Sequence, residues 1–252
     1  MTILCYHSVD PAWESPLAVR PEEFEAHCGW LARHRTVVPL ARAVSHMSPS
    51  GRLPRGWTVI TFDDGFTGVL DHALPVLARH GLPATVFLVA ATLTDDGLEP
   101  HWVRTPPPWP LTTLTAGQVH QMQGMGVDFQ SHSRAHLDLV DLDYDACVDD
   151  LRESRTMLED LLGHSVPHVA YPRGLHNAQV RRAAEAAGYR HAYSLPESKE
   201  PVGAYALPRV GVNRGNGVRV LAAKCAPWYL EVRNGPAGST ARRLRGVARA
   251  RR

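Results

Sequence analysis

Two acidic residues stand side by side in VITFDDGF (Val59–Phe66), where an apolar run stops and a glycine follows. Adjacent strand residues point to opposite faces. Like charges this close disfavour joint ionisation. A cation on one of the two, Asp63 or Asp64, would relieve that conflict. A second stretch, SHSRAH, separates His132 from His136 by three residues. On a helical turn or in a tight loop this spacing puts both imidazoles on one side. Two neutral imidazoles and one carboxylate make a hydrolytic zinc site with a position left for water. No glutamate follows His132, so this is not the HExxH protease pattern. A third stretch, VAYPRG, ends a strand at a Pro172–Arg173–Gly174 turn. The backbone N–H of Arg173 at such a turn can face a developing oxyanion. A fourth, LCYHSV, leaves His7 at the end of the first strand, where a lone histidine reads as structural. Cys5 shares the face of His7 and is expected to be core.

These residues must be positioned by the elements that precede them. Residues 3–6, 57–62, 84–90, 127–132 and 168–172 read as strands, followed by late strands at 190–195 and 204–212. The 84–90 run has no polar face and is expected to be buried on both sides. Helical patterns occupy 21–34, 68–81 with a kink at Pro75, 115–126, 143–163, 177–189 and a last helix at 216–224. This alternation predicts βα units around a parallel sheet, about seven of them, closed or nearly closed into a barrel. Ligands bind at the carboxyl ends of such strands, where all four stretches fall. Residues 92–113, rich in proline and holding Trp102 and Trp109, break the pattern as an inserted loop. One catalytic domain over 1–237 and a basic tail over 238–252 are expected.

The 252 residues suffice for one barrel, and 44% apolar with 21% charged content reads as globular. A net charge of +2 gives no nucleic-acid footprint. The exception is ARRLRGVARARR, with six arginines and no acid, read as a solvated tail or a contact with anionic lipid. Four scattered cysteines with no CxxC pair, and no basic-apolar leader in MTILCYHSVD, lead to the expectation of a cytoplasmic protein, peripheral to the inner membrane face.

In order, YHSV, TFDDG, HSRAH, AYPRG, AAGYRHAYS and LPRVGV resemble the polysaccharide deacetylases, the NodB-homology group of carbohydrate esterase family four, over roughly residues 2 to 225. The resemblance implies an irregular (β/α)7-type TIM-like barrel and metal-dependent removal of N-acetyl groups from amino sugars. It implies Asp64, His132 and His136 as metal ligands, Asp63 as general base, and an oxyanion facing the Arg173 N–H. Zn2+ suits the ligands; Co2+, Ni2+, Mn2+ and Fe2+ also suit them. Two departures stand out. Ala170 holds the place where many relatives have an arginine, and no histidine follows residue 200. The chain thus resembles the subgroup that opens with YH, which implies His7 as general acid, with Arg209 replacing the arginine and orienting Asp63. Tyr171, Pro172, Asn213 and Trp102 are the expected substrate contacts, with a surface turn the equal reading for Asn213; Trp102 and Trp109 are candidates to stack on a sugar ring, although aromatics in such a loop more often pack it onto the barrel. A carbohydrate, whether glycan, lipid-linked or small glycoside, is the expected partner. Three other readings compete: a cyclic-amide hydrolase on the same fold, an iron(II) oxygenase with the same ligand types, and an inactive carbohydrate binder.

Overall fold

The computed structural model describes residues 2–47, 54–94, 97–196 and 200–235. The expected basic tail lies outside the described residues. Strands β1 (Thr2–Tyr6), β2 (Ser8–Val9) and β3 (Ala18–Val19) precede helix α1 (Pro21–His34), β4 (Thr36–Val37) and α2 (Leu40–Ser45). Then come β5 (Trp57–Phe62), α3 (Leu74–His80), β6 (Thr85–Leu88), α4 (Ala116–Gly124), β7 (Asp128–Ser131) and α5 (Tyr144–Leu162). The chain continues through β8 (His168–Ala170), α6 (Ala178–Ala186), β9 (His191–Ser194), β10 (Leu207–Pro208), β11 (Val210–Gly211), α7 (Val218–Lys224) and α8 (Tyr229–Asn234).

Nine strands form one sheet in the order β10, β9, β8, β7, β6, β5, β1, β11, with β4 against β5. Every pairing is parallel. Strands β10 and β11 lie at opposite ends of this order, yet only Arg209 separates them in the chain. Leu207 and Pro208 pair with β9, while Val210 and Gly211 pair with β1. This short segment therefore joins both edges and closes the barrel, removing the edges an open sheet would expose. The expected irregular (β/α)7-type barrel is what forms.

Strand parity sorts the side chains. Leu4, Ile60, Val86, Phe129 and Val169 face the helices in the main core. Ile3, Val59, Phe87, Ala170, Tyr193 and Leu207 fill the barrel interior, with Leu40 and Ala43 of α2 packed against them. Strand β6 is buried on both faces, as its unbroken apolar run predicts.

Three expectations change. The kink at Pro75 is a widened turn over Val69–Ala73 running into α3, which accommodates a proline that cannot donate to the preceding turn. The single strand over 204–212 divides into β10 and β11 as its pairing partner switches at Arg209. Helix α7 is not the last, since α8 follows it. The short β2, β3 and β4 and the six-residue α2 have too little periodicity to be read from sequence. Among the described residues no helix is long and apolar enough to cross a membrane.

Near the amino ends of β8 and β9, His168 stacks on His191 at 5.2 Å and meets the Tyr193 hydroxyl through Nδ1 at 3.3 Å. Burial pushes the His168 imidazole down to about 3, with His191 and Arg190 adding to the effect. An unfolded histidine titrates near 6.5, so the unfolded chain binds protons first as pH falls. The stability from keeping His168 neutral is complete above about pH 6.5 and is lost below it. Going from pH 7 to pH 5, this residue is expected to remove about 2 kcal/mol. Urea unfolding of the wild type and His168→Gln at both pH values measures it. Equal pH slopes in the two proteins would refute it.

Candidate active site

The carboxyl ends of β1, β5, β7, β8 and β11 meet at one rim. Among the described residues, four non-glycine residues have positive φ: Asp64 (68°), Ser133 (68°), His136 (54°) and Arg173 (56°). All four lie in the turns that leave these strand ends. Such backbone is uncommon for non-glycine residues and concentrates where a site over-determines it.

Asp63 continues the parity of β5 into the barrel and donates its N–H to Tyr6 O at 3.0 Å. Asp64 and Gly65 then both turn left-handed, which sends the two carboxylates into one pocket by different routes. A Cβ on Gly65 would come within 2.7 Å of Leu88, so the turn needs glycine for space as well as for φ.

Asp64, His132 and His136 bring three potential ligand atoms within 4.8 Å of one another, all buried. His132 Nδ1 donates to Ala170 O at 2.7 Å. A carbonyl only accepts, so Nε2 carries the lone pair, and it faces Asp64 Oδ1 at 3.6 Å. His136 Nε2 lies 3.4 Å from the same oxygen. The segment from His132 to His136 is a tight loop rather than a helical turn. Ser133 Oγ accepts from His136 N at 3.1 Å and holds the loop closed. Burial and the charge on Asp63 hold the Asp64 carboxyl well above the ordinary range, opposed by a 3.1 Å hydrogen bond from Trp102 Nε1. Burial also lowers both imidazoles. The Nε2 atoms of His132 and His136 converge on one Asp64 oxygen, and a divalent cation among them would hold that carboxyl ionised and take up the lone pairs, so the donor set fits such a metal.

Asp63 is the opposite case. Burial alone would raise its carboxyl, but Arg209 and His132 bring it well below the usual range. Arg209 grips it with both arms, Nη1 to Oδ1 at 2.6 Å and Nη2 to Oδ2 at 2.7 Å. Arg209 also reaches Thr61 Oγ1 at 3.3 Å and lies over the Phe87 ring at 5.2 Å. Cys5 Sγ donates to Asp63 Oδ2 at 3.3 Å. His7 completes the group; its Nδ1 is buried and has no hydrogen-bond partner among the described residues. Burial lowers the His7 imidazole to about 4, against the pull of Asp63.

The structure thus brings together Asp63, Asp64, His132, His136, His7 and Arg209. The other expected residues fall out differently. Trp102 is not an exposed platform: it is 8% exposed, stacks on His136 at 4.6 Å and bonds Asp64. The Tyr171 hydroxyl donates to Tyr205 O at 3.0 Å, and its ring is buried in the helix-side core, so only its backbone is left for a ligand. Pro172 opens the Arg173 turn and is buried. The Arg173 side chain donates to Asp138 Oδ1 at 2.7 Å. Together with Trp102, Arg104, His136 and Asp138 it lines an open cleft of about 440 Å³ beside the ligand set. Asn213 is exposed and donates its N–H to Asn216 Oδ1 at 3.1 Å within its own turn, with no hydrogen bond to the cluster.

Cys5 is buried as expected, yet it touches Asp63 directly, a contact that strand parity with His7 foreshadows. The Trp102–Asp64 bond has no sequence signal, because it depends on how the inserted loop folds back. Trp13 anchors that loop by donating to Thr105 O at 2.7 Å.

Comparison with known proteins agrees with this architecture. The family model for polysaccharide deacetylase matches residues 50–192. The Bacillus subtilis protein YxkH, which carries the polysaccharide deacetylase name, is 30% identical over 220 residues, spanning 85% of this chain and 72% of its own. The poly-β-1,6-N-acetyl-D-glucosamine N-deacetylase of Staphylococcus epidermidis is 25% identical over 207 residues, 78% of this chain and 68% of its own. The Streptococcus pyogenes deacetylase PplD in complex with acetate superposes with a TM-score of 0.75 at 20% identity, over 90% of this chain and 98% of its own. Carrying the DDG turn, the paired histidines and the barrel that holds them, the chain belongs to the polysaccharide deacetylase family.

Proposed function

We propose that this protein hydrolyses the N-acetyl amide of amino-sugar units in a glycan, with a divalent cation held by Asp64, His132 and His136. The observation that carries the reading is the division of labour between adjacent carboxylates. Asp63 is fixed and ionised by Arg209, whereas Asp64 faces the ring nitrogens of His132 and His136 and pairs with no Lys or Arg side chain among the described residues. The name of the staphylococcal relative supports an N-acetylglucosamine polymer as the substrate class.

A cation bound there would lower the pKa of water towards about 7 and polarise the acetyl carbonyl. Zn2+ suits two imidazoles and one carboxylate, and Co2+, Ni2+, Mn2+ and Fe2+ are alternatives. The chain's own groups do the rest. Asp63 takes a proton as water oxygen attacks the carbonyl carbon, and the Arg209 fork keeps that carboxylate oriented throughout. The Arg173 turn faces the oxyanion. The C–N bond then breaks, and His7 gives the amine its proton, leaving acetate and a free amino sugar. His7 is neutral at pH 7 in the protein alone, so it acts as the acid only after the proton that Asp63 takes from water passes to it, which also restores the Asp63 carboxylate.

Acetate release from N-acetylglucosamine oligomers, with and without chelator, tests the reading. The expected result is release that a chelator abolishes and Zn2+ or Co2+ restores. Release from a ring amide alone, a requirement for oxygen and reductant, or binding without release would each replace the proposal with one of the competing readings.

Trp102→Phe keeps the ring over His136 but removes the N–H from Asp64. It is expected to weaken Zn2+ binding by about 10–100-fold, the usual effect of losing an outer partner of a ligand. Calorimetric titration measures this, and unchanged affinity would show that the bond does not orient Asp64.

A further inference from the structure

We propose that Cys5, His7 and Asp63 form a second metal site, selective for soft cations and inhibitory when filled. The proposal rests on the deacetylase reading for its consequence but not for its geometry. The three residues each offer an atom within 4.8 Å of the other two. Cys5 Sγ and Asp63 Oδ2 are 3.3 Å apart. Metal–sulfur and metal–oxygen bonds of about 2.3 and 2.0 Å at a tetrahedral angle put those atoms about 3.5 Å apart, so the pair is already spaced as one edge of a site. His7 supplies the third donor; its buried Nδ1 has no hydrogen-bond partner among the described residues. His7 is also the partly exposed member, which gives an ion a way in.

Arg209 sets the selectivity. Its guanidinium already occupies one side of Asp63, and a second cation there is repelled. Binding must therefore draw on the thiol: the S–H proton leaves to solvent, an S–metal bond forms, and the new thiolate charge offsets part of the repulsion. Hard cations gain little from that exchange, whereas Cd2+ and excess Zn2+ gain much. An ion bound there would take the general acid and the general base out of use together, while Asp64, His132 and His136 keep their own. Cys28, Cys147 and Cys225 are also free and buried, but among the described residues none lies in such a cluster.

Cd2+ is the probe. Equilibrium dialysis counts bound ions, and the ultraviolet thiolate-to-cadmium charge-transfer band reports sulfur ligation independently of activity. Wild type is expected to bind two ions, with the band growing alongside the weaker one. Cys5→Ala and the near-isosteric Cys5→Ser should each bind one fewer and lose the band; the serine variant covers the case where alanine fails to fold. Asp64→Asn should lose the other ion and keep the band. Excess Zn2+ should inhibit the wild type, whereas each Cys5 variant keeps whatever activity it has. One ion with no band, or a band that survives in both Cys5 variants, overturns this site and leaves the Asp64 site standing. No bound ion at all overturns both.

Discussion

Arg209→Met is expected to destabilise the fold by about 3–5 kcal/mol, the usual cost of stripping one partner from a buried ion pair. Both partners are inaccessible, Arg209 at 0% and Asp63 at 1% exposure. Without the guanidinium, the Asp63 carboxylate would be left with the Cys5 thiol as its hydrogen-bond donor. The loss should be largest at neutral pH, where the stranded group is charged. Arg209→Lys should recover little, because a single ammonium cannot serve both oxygens. The double variant Arg209→Met/Asp63→Asn should regain much of the loss, since no charge is then buried alone. Urea unfolding of all four proteins checks this. Midpoints that match the wild type in Arg209→Met would mean that the pair contributes nothing to the fold.

Asp63→Asn is expected to reduce turnover by about 10²–10⁴-fold, the range attributed to a positioned general base. An amide can still accept one bond from Arg209 but cannot take a proton from water. The variant leaves Asp64, His132 and His136 intact, so bound Zn2+ should remain near one equivalent at the Asp64 site. Some loss of stability is also expected, because Arg209 loses its counter-charge. Acetate release, zinc content and thermal unfolding measured together separate these effects. Full turnover in a folded, metal-loaded variant would remove Asp63 from the chemistry.

Much of this was legible because strand ends carry their own punctuation. Helix α1 starts and stops where its proline and acidic first turn indicate, and β5 matches its apolar run residue for residue. The residues of the DDG turn and of the histidine pair could be named because each lies within a few positions of a recognisable strand end. What escaped reading depended on contacts across long separations. Trp102 reaches Asp64 across 38 positions, and its ring is covered by a small core that includes Trp13, Phe66 and Val103. An exposed ring and a buried one look alike in a proline-rich loop. Tyr171 shows a different limit. Its neighbours in the motif suggest a binding role, but its hydroxyl is used by Tyr205, 34 positions away. Cys5 has the right parity, but a small apolar residue in a strand reads as core without further explanation.

The seam between β10 and β11 has one more consequence. The residue that switches the chain from one sheet edge to the other is the same residue that clamps Asp63. Asp64, His132 and His136 all lie outside this segment, whereas the guanidinium on Asp63 comes from it. Under the proposed mechanism the orientation of Asp63 therefore depends on how the two sheet edges are joined. A substitution that loosens this seam is expected to lower turnover while zinc content at the Asp64 site stays unchanged.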